Sequence, residues 1–98
     1  MARLAFGEGT GEDFDRILAH LFAHEAHSID ERIAAIIDAC EVLTRHPLIG
    51  RRRGDKRELV IGSGANGYVA LYRYVAESDL VLIVAIRAQR EKGFAPKR

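Results

Sequence analysis

The 98-residue chain has a single cysteine, no tryptophan and no long run of apolar residues. With Cys40 alone, an intrachain disulfide and a zinc site built on thiolates are both excluded. The longest apolar run, from Leu80 to Ile86, ends at Arg87 and is far shorter than the roughly 18 residues that span a bilayer. The N-terminal segment lacks the apolar stretch of a secretory signal. These absences predict a cytoplasmic protein with no membrane partner, no metal and no other cofactor.

Charge is distributed unevenly along the chain, although 15 Lys+Arg nearly balance 14 Asp+Glu. Residues 1–50 contain four basic and nine acidic groups, which gives −5. Residues 51–98 contain eleven basic and five acidic groups, which gives +6. Such asymmetry predicts a charged partner, most often nucleic acid, a membrane surface or an acidic protein segment. The 48% hydrophobic content excludes a disordered chain, and the length predicts one domain over residues 1–98.

Apolar spacing predicts two helices in the first half of the chain. One helical face recurs over about residues 12–26, at Phe14, Ile17, Leu18, Leu21 and Phe22. Ser28-Ile-Asp-Glu31 has the spacing of a capping box, and Pro47 ends the second helix near Arg45. That helix is predicted to bury Ile33, Ile36, Ile37, Cys40 and Leu43. Because the link is short, the two helices form an antiparallel hairpin over about residues 12–46.

Strand signals replace helical spacing after Pro47. Residues 58–61, 68–75 and 80–86 are rich in β-branched and aromatic side chains, and turn-forming clusters separate them. Short loops pair such strands as an antiparallel meander, and residues 3–6 can form a short opening strand. The predicted fold class is α+β: an N-terminal helical hairpin packed on a small curved antiparallel sheet over about residues 57–87, followed by a basic tail over residues 88–98.

The last strand is apolar on both sides. If Leu80, Leu82, Val84 and Ile86 face the helices, the alternate side chains point to the other face of the sheet, namely Val81, Ile83 and Ala85. These three are either sheltered by curvature or homodimerisation, or they form a groove that a dedicated partner fills.

Basic residues are concentrated in and after the predicted sheet. Seven residues beginning at Arg51 contain five cations, and alternation allows Arg57, Arg73 and Arg87 to share one face. Arginine donates bidentately to phosphate and carboxylate groups, so this set predicts an anion-binding surface, with a solvated loop and tail as the alternative. The predicted target-binding residues are Arg51, Arg52, Arg53, Arg57, Arg73, Arg87, Arg90 and Lys92.

Histidines and tyrosines give weaker indications of a site. His20, His24 and His27 share one helical stripe whose spacing can hold a metal, but a solvated surface explains them better, and no metal site is predicted. Tyr68, Tyr72 and Tyr74 lie on one face of the middle strand, where they either stack on bases or pack in the core.

Five strings occur in order along the chain: Asp13-Phe-Asp-Arg-Ile17, Leu43-Thr-Arg-His-Pro-Leu-Ile-Gly-Arg51, Arg57-Glu-Leu-Val-Ile-Gly, Gly67-Tyr-Val-Ala-Leu-Tyr72 and Ala85-Ile-Arg-Ala-Gln-Arg-Glu-Lys-Gly-Phe94. Together they resemble the RelE/ParE toxins of bacterial type II toxin–antitoxin modules. The resemblance implies growth inhibition and plasmid stabilisation, and a cognate ParD/RelB-like antitoxin that covers the hydrophobic and basic surfaces. It also implies that promoter DNA is contacted only through that antitoxin.

The family divides by target. In the RelE-like branch, which cleaves ribosome-bound mRNA, the resemblance implies that Arg57 and Arg87 stabilise phosphate charge, with Lys56 beside one of them. Glu58, Glu91 or a tyrosine would then take the proton, since Ala88, Gln89 and Phe94 replace the expected tail group. The tail resembles better the ParE-like branch, which inhibits DNA gyrase by binding and is not an enzyme. The sequence therefore predicts a gyrase inhibitor, with the mRNA endonuclease and a non-toxic antitoxin-binding remnant as alternatives.

Overall fold

The computed structural model describes residues 1–23, 28–62 and 67–89. Two helices pack on one face of a five-stranded sheet, which confirms the predicted α+β class. The elements are β1 (Arg3–Phe6), α1 (Thr10–Ala23), α2 (Ile29–Val42), β2 (Arg51–Arg53), β3 (Lys56–Ile61), β4 (Tyr68–Val75) and β5 (Leu80–Ala88).

The sheet is mixed rather than purely antiparallel. Its strand order is β1-β5-β4-β3-β2, and β2 to β5 form the predicted meander. β1 instead lies parallel to β5, because the helical hairpin carries the chain away from β1 before the meander begins. β2 was not predicted, since its three residues are all arginines and resemble a solvated loop.

The helices differ from the sequence predictions mainly at their ends. α1 begins at Thr10, whose hydroxyl donates to the Gly7 carbonyl at 2.7 Å, and positions 24–27 lie outside the described residues. α2 begins at Ile29 as predicted, but the capping box is wrong because Ser28 adopts a left-handed conformation, with φ 60°, and its side chain makes no capping hydrogen bond. α2 ends at Val42, where tighter turn hydrogen bonds begin. In the part of the chain that is described, neither helix is long and apolar enough to cross a membrane.

The core lies between the helical hairpin and the sheet. α1 contributes Ile17 and Leu21, while α2 contributes Ile36 and Cys40. Each fully buried aliphatic side chain of this size contributes about 1.5–3 kcal/mol. Ile37 was predicted to be buried but is 36% exposed, since it lies beyond the stripe that faces the sheet. The largest fully buried side chains are Tyr72, Ile36, Leu43, Ile83, Ile86, Val81 and Cys40.

A β-bulge interrupts the pairing of β4 with β5. Leu71 pairs with Ala85, but the next residue of β4, Tyr72, pairs with Ile83, so Val84 has no partner in β4. One extra residue in a strand reverses the relation between sequence parity and sheet face. Before Val84 the odd-numbered residues of β5 therefore point toward the helices, and after it the even-numbered residues do.

The bulge overturns the predicted orientation of β5. Val81 and Ile83 are completely buried and pack in the helix-side core, together with Ile86 from beyond the bulge. The prediction that Val81, Ile83 and Ala85 form a partner groove is therefore wrong for the first two residues. Ala85 does lie on the opposite face, yet it is only 6% exposed.

Candidate functional site

The sheet has a helix face, which the two helices cover, and an opposite face that we call the open face. Arg51 of β2 lies opposite Glu58, which in turn lies opposite Leu71 and then Ala85. Side chains directly opposite one another point to the same side of a sheet, and alternate residues of each strand follow them. The cations that this register brings to the open face are Arg51, Arg53, Lys56, Arg73 and Arg87.

Arg57 is on the other side of the sheet. It pairs with Tyr72, whose side chain is buried in the core, so the prediction that Arg57 shares a face with Arg73 and Arg87 is wrong. Its Nη1 donates to the carbonyls of Leu48 at 3.1 Å and Gly50 at 2.9 Å. Arg57 therefore anchors the loop before β2.

Two further contacts define the region around Arg57. The Gly50 N–H donates to the Tyr72 hydroxyl at 2.8 Å inside the core. Arg52 lies opposite Arg57 and so shares the helix-face side of the hairpin. Of the seven-residue basic cluster, three cations reach the open face and two do not.

A buried carboxylate lies among the open-face cations. Glu58 is 8% exposed and accepts hydrogen bonds from Arg51 at 3.3 Å and from Arg53. Burial raises the pKa of the Glu58 carboxyl, but the hydrogen bonds and positive charges of these two arginines outweigh burial, so its pKa is lowered from the usual 4.5. Glu58 is thus an ionised counter-charge. Lys56 pairs with Asp55 at 3.1 Å in the adjoining turn.

Arg87 lies at the far end of the same face, opposite Val69. Its Nη1 donates to the carbonyls of Ala88 at 3.2 Å and Gln89 at 3.4 Å. These local bonds hold the guanidinium near the end of β5. The predicted tail contacts, Arg90 and Lys92, lie outside the described residues.

A clamp from α1, which sequence reasoning missed, fixes the strand that carries Arg87. β1 ends opposite Ile83, and farther along β5 the α1 side chains satisfy the backbone instead. Asp13 accepts the Ile86 N–H at 2.9 Å, and Arg16 donates to the Ile86 carbonyl at 2.9 Å. Asp13 and Arg16 also pair with each other at 2.9 Å. Their i, i+3 spacing at a helix start is the only sequence signal for this arrangement.

Aromatic and histidine candidates do not assemble a site. Tyr68 and Tyr72 are buried in the core, so core packing rather than base stacking accounts for them. Tyr74 donates to Asp79 at 2.6 Å near the turn before β5. His24 and His27 lie outside the described residues, and the residues that are described contain no cluster of three or more side chains able to hold a metal.

Known proteins resemble this chain in sequence. The family model described as ParE toxin of type II toxin-antitoxin system, parDE, matches residues 10–93. Toxin RelE3 of Caulobacter vibrioides is 31% identical over 93 residues, which cover 94% of this chain and 99% of that protein.

Solved structures share the fold at lower identity. The intact RelBE toxin–antitoxin complex of E. coli contains a chain with a TM-score of 0.61 and 17% identity, covering 94% of this chain and 100% of its own. In the RelBE2 toxin–antitoxin complex of Mycobacterium tuberculosis, the corresponding values are 0.63 and 20%, with 90% of this chain and 98% of that chain covered. Because the family model spans most of the chain and a relative is 31% identical over nearly its whole length, the chain belongs to the RelE/ParE family of type II toxin–antitoxin toxins.

Proposed function

We propose that this toxin acts by binding, that the open face is its target surface and that DNA gyrase is the target. One observation carries the proposal: the cations suited to a nuclease site are divided between two faces. Arg57 is used to anchor a loop on the helix face, whereas Lys56 and Arg87 lie on the open face. An open face that gathers charge from four strands is suited to holding an anionic surface.

The protonation state of Glu58 supports target binding by this face rather than proton transfer in a nuclease reaction. A general base works best when its pKa lies near the operating pH. The Glu58 carboxyl has a lowered pKa and both of its oxygens are engaged by arginines. It is therefore a weak proton acceptor at neutral pH. The match to the ParE toxin model supports the same branch of the family.

A cognate ParD/RelB-like antitoxin is the proposed regulator. The structural neighbours were solved as toxin–antitoxin complexes, which supports a protein partner for this chain as well. An acidic antitoxin segment laid on the open face would neutralise the same cations that the target needs. Both proteins would act in the bacterial cytoplasm, and promoter DNA would be contacted through the antitoxin.

A supercoiling assay tests the proposal. Purified toxin added to gyrase, ATP and relaxed plasmid should inhibit supercoiling, and Arg73→Ala or Arg87→Ala should weaken the inhibition. Arg45→Ala is the matched control, because Arg45 is an exposed cation at the end of the helical hairpin. Full supercoiling in the presence of excess toxin would reject gyrase as the target.

The second candidate is a RelE-like, ribosome-dependent mRNA endonuclease. The 31% identity to toxin RelE3 favours it, as does the position of Lys56, Arg73 and Arg87 on the same sheet face as Glu58. A translation mix followed by primer extension would show codon-phased mRNA cuts if this candidate is correct. Glu58→Gln would then abolish the cuts if Glu58 takes the proton. Inhibition in neither assay would indicate the non-toxic antitoxin-binding remnant.

A further inference from the structure

Glu58 is out of place by charge on the open face. Among the described residues of β2 to β5, the strand side chains of this face otherwise comprise five cations and apolar groups. The carboxylate is buried, but its two partners extend into solvent: the side chains of Arg51 and Arg53 are 83% and 53% exposed. The carboxylate is thus fixed by the sheet, whereas both guanidinium groups can turn away from it.

Carboxylate and phosphate groups are recognised by the same guanidinium geometry. Arginine offers a planar set of N–H donors that fits two oxygens of either anion. Glu58 therefore occupies the donors that Arg51 and Arg53 would otherwise offer to a phosphate.

We propose that Glu58 is an intramolecular competitor that holds Arg51 and Arg53 in an autoinhibitory contact until a phosphodiester backbone displaces it. The inference rests on the proposed role of the open face as an anion-binding target surface; it adds a phosphodiester backbone to the anions that this surface holds and assigns a regulation to it. When the two arginines turn to phosphates, the buried carboxylate loses its hydrogen-bond donors and part of its compensating charge. This cost lowers the affinity for every anion.

The competitor also selects among anions. A single phosphate recovers little of the cost of freeing Glu58, because it engages one guanidinium. A continuous backbone presents several phosphates at once and also reaches Lys56, Arg73 and Arg87, with the release of several counterions. The contact therefore favours polynucleotides over small phosphate ligands.

Binding by Glu58→Gln tests the proposal directly. The probes are fluorescein-labelled single-stranded RNA, double-stranded DNA of equal length and a poly-glutamate peptide, each titrated with the purified full chain over a range of salt concentrations. The control is Glu31→Gln, which removes the same charge at an exposed position in the first turn of α2. Glu58→Gln should bind at least one nucleic acid about three- to tenfold more tightly, with a salt slope steeper by up to about 0.9, and the control should not.

The two nucleic acids distinguish the sources of the phosphodiester, since tighter binding to RNA alone or to DNA alone identifies which backbone the arginines meet. Unchanged affinity for both nucleic acids overturns the proposal. Tighter binding of poly-glutamate alone also overturns it, in favour of an acidic protein segment. Weaker binding by Glu58→Gln overturns it too, because Glu58 would then position the arginines for the target.

A second variant keeps the test decisive if Glu58→Gln folds poorly. Arg53→Gln in the wild-type background should cost less than about twofold in nucleic-acid affinity, since Arg53 is already engaged by Glu58. A large loss in the wild type alone rejects the competitor role.

The gyrase assay separates this inference from the proposed function. Affinities that follow the expected pattern, with supercoiling unaffected by the toxin, would reject gyrase and retain the competitor. Inhibited supercoiling with unchanged Glu58→Gln affinity would do the reverse.

Discussion

Removal of the Asp13 carboxylate should destabilise the protein strongly. Asp13 is 3% exposed and accepts the buried Ile86 N–H, so Asp13→Ala leaves that donor without its partner at a cost of about 1–3 kcal/mol. Arg16 also loses an ion pair that is partly exposed, which adds up to about 1 kcal/mol. The sum is about 1–4 kcal/mol, a large part of the 5–15 kcal/mol that is typical of a whole domain.

Thermal and urea unfolding followed by circular dichroism measure this loss. The expected fall in Tm is about 5–30 °C for a domain of this size. Asp13→Asn should cost about 1 kcal/mol, because the amide oxygen still accepts the Ile86 N–H but forms no ion pair. Asp15→Ala, at an exposed position in the same helix, is the control. A free energy of unfolding within about 0.5 kcal/mol of wild type for Asp13→Ala would refute the clamp.

Three further outcomes follow from other contacts. Gly50→Ala should lose about 2 kcal/mol or more in urea unfolding, because its Cβ would lie 2.6 Å from the Tyr72 hydroxyl and 2.7 Å from the Glu58 carbonyl oxygen; a wild-type midpoint would contradict this packing. The pKa of Glu58 is lowered in the folded state, so the stability that its ionised form contributes is present above pH 4.5 and is lost as the pH falls through the lowered value. The difference in unfolding free energy between wild type and Glu58→Gln should therefore shrink in acid. A difference that stays constant with pH would argue against the ion pairs. Burial, with a smaller contribution from the negative charge of Glu41, raises the pKa of Cys40 to about 11, so iodoacetamide should label it slowly at pH 7 until urea is added; rapid labelling of the folded protein would show that the thiol is accessible.

The sequence predicted those elements whose local pattern and packing agree. β4 has its predicted bounds, Tyr68–Val75, because alternating aromatic and β-branched residues specify a strand that packs on helices. The inner face of α1 also follows its apolar spacing, since Ile17 and Leu21 are buried as the period requires. At these positions the local propensity and the tertiary packing favour the same structure, so the sequence alone is enough to predict it.

The site depended on information that the sequence does not carry. Every residue from Leu80 to Ile86 is apolar, so alternation gives no sign of which side faces the helices or of where an extra residue enters. The face occupied by Arg57 follows from its pairing with Tyr72, which is a relation between strands. The ion pairs of Glu58 depend on β2, whose arginines do not have a strand-like pattern. The register between strands that are distant in sequence therefore determines which cations share a face of the sheet.

The unpaired Val84 decides which face of the sheet Arg87 occupies. If β5 paired with β4 without the bulge, Val84 would lie opposite Leu71 and every later residue of the strand would change face. Arg87 would then turn toward the interior and Ile86 toward solvent. The bulge therefore keeps Ile86 in the core while Arg87 stays on the open face, and deletion of Val84 alone would preserve both positions, because Ala85 would still lie opposite Leu71.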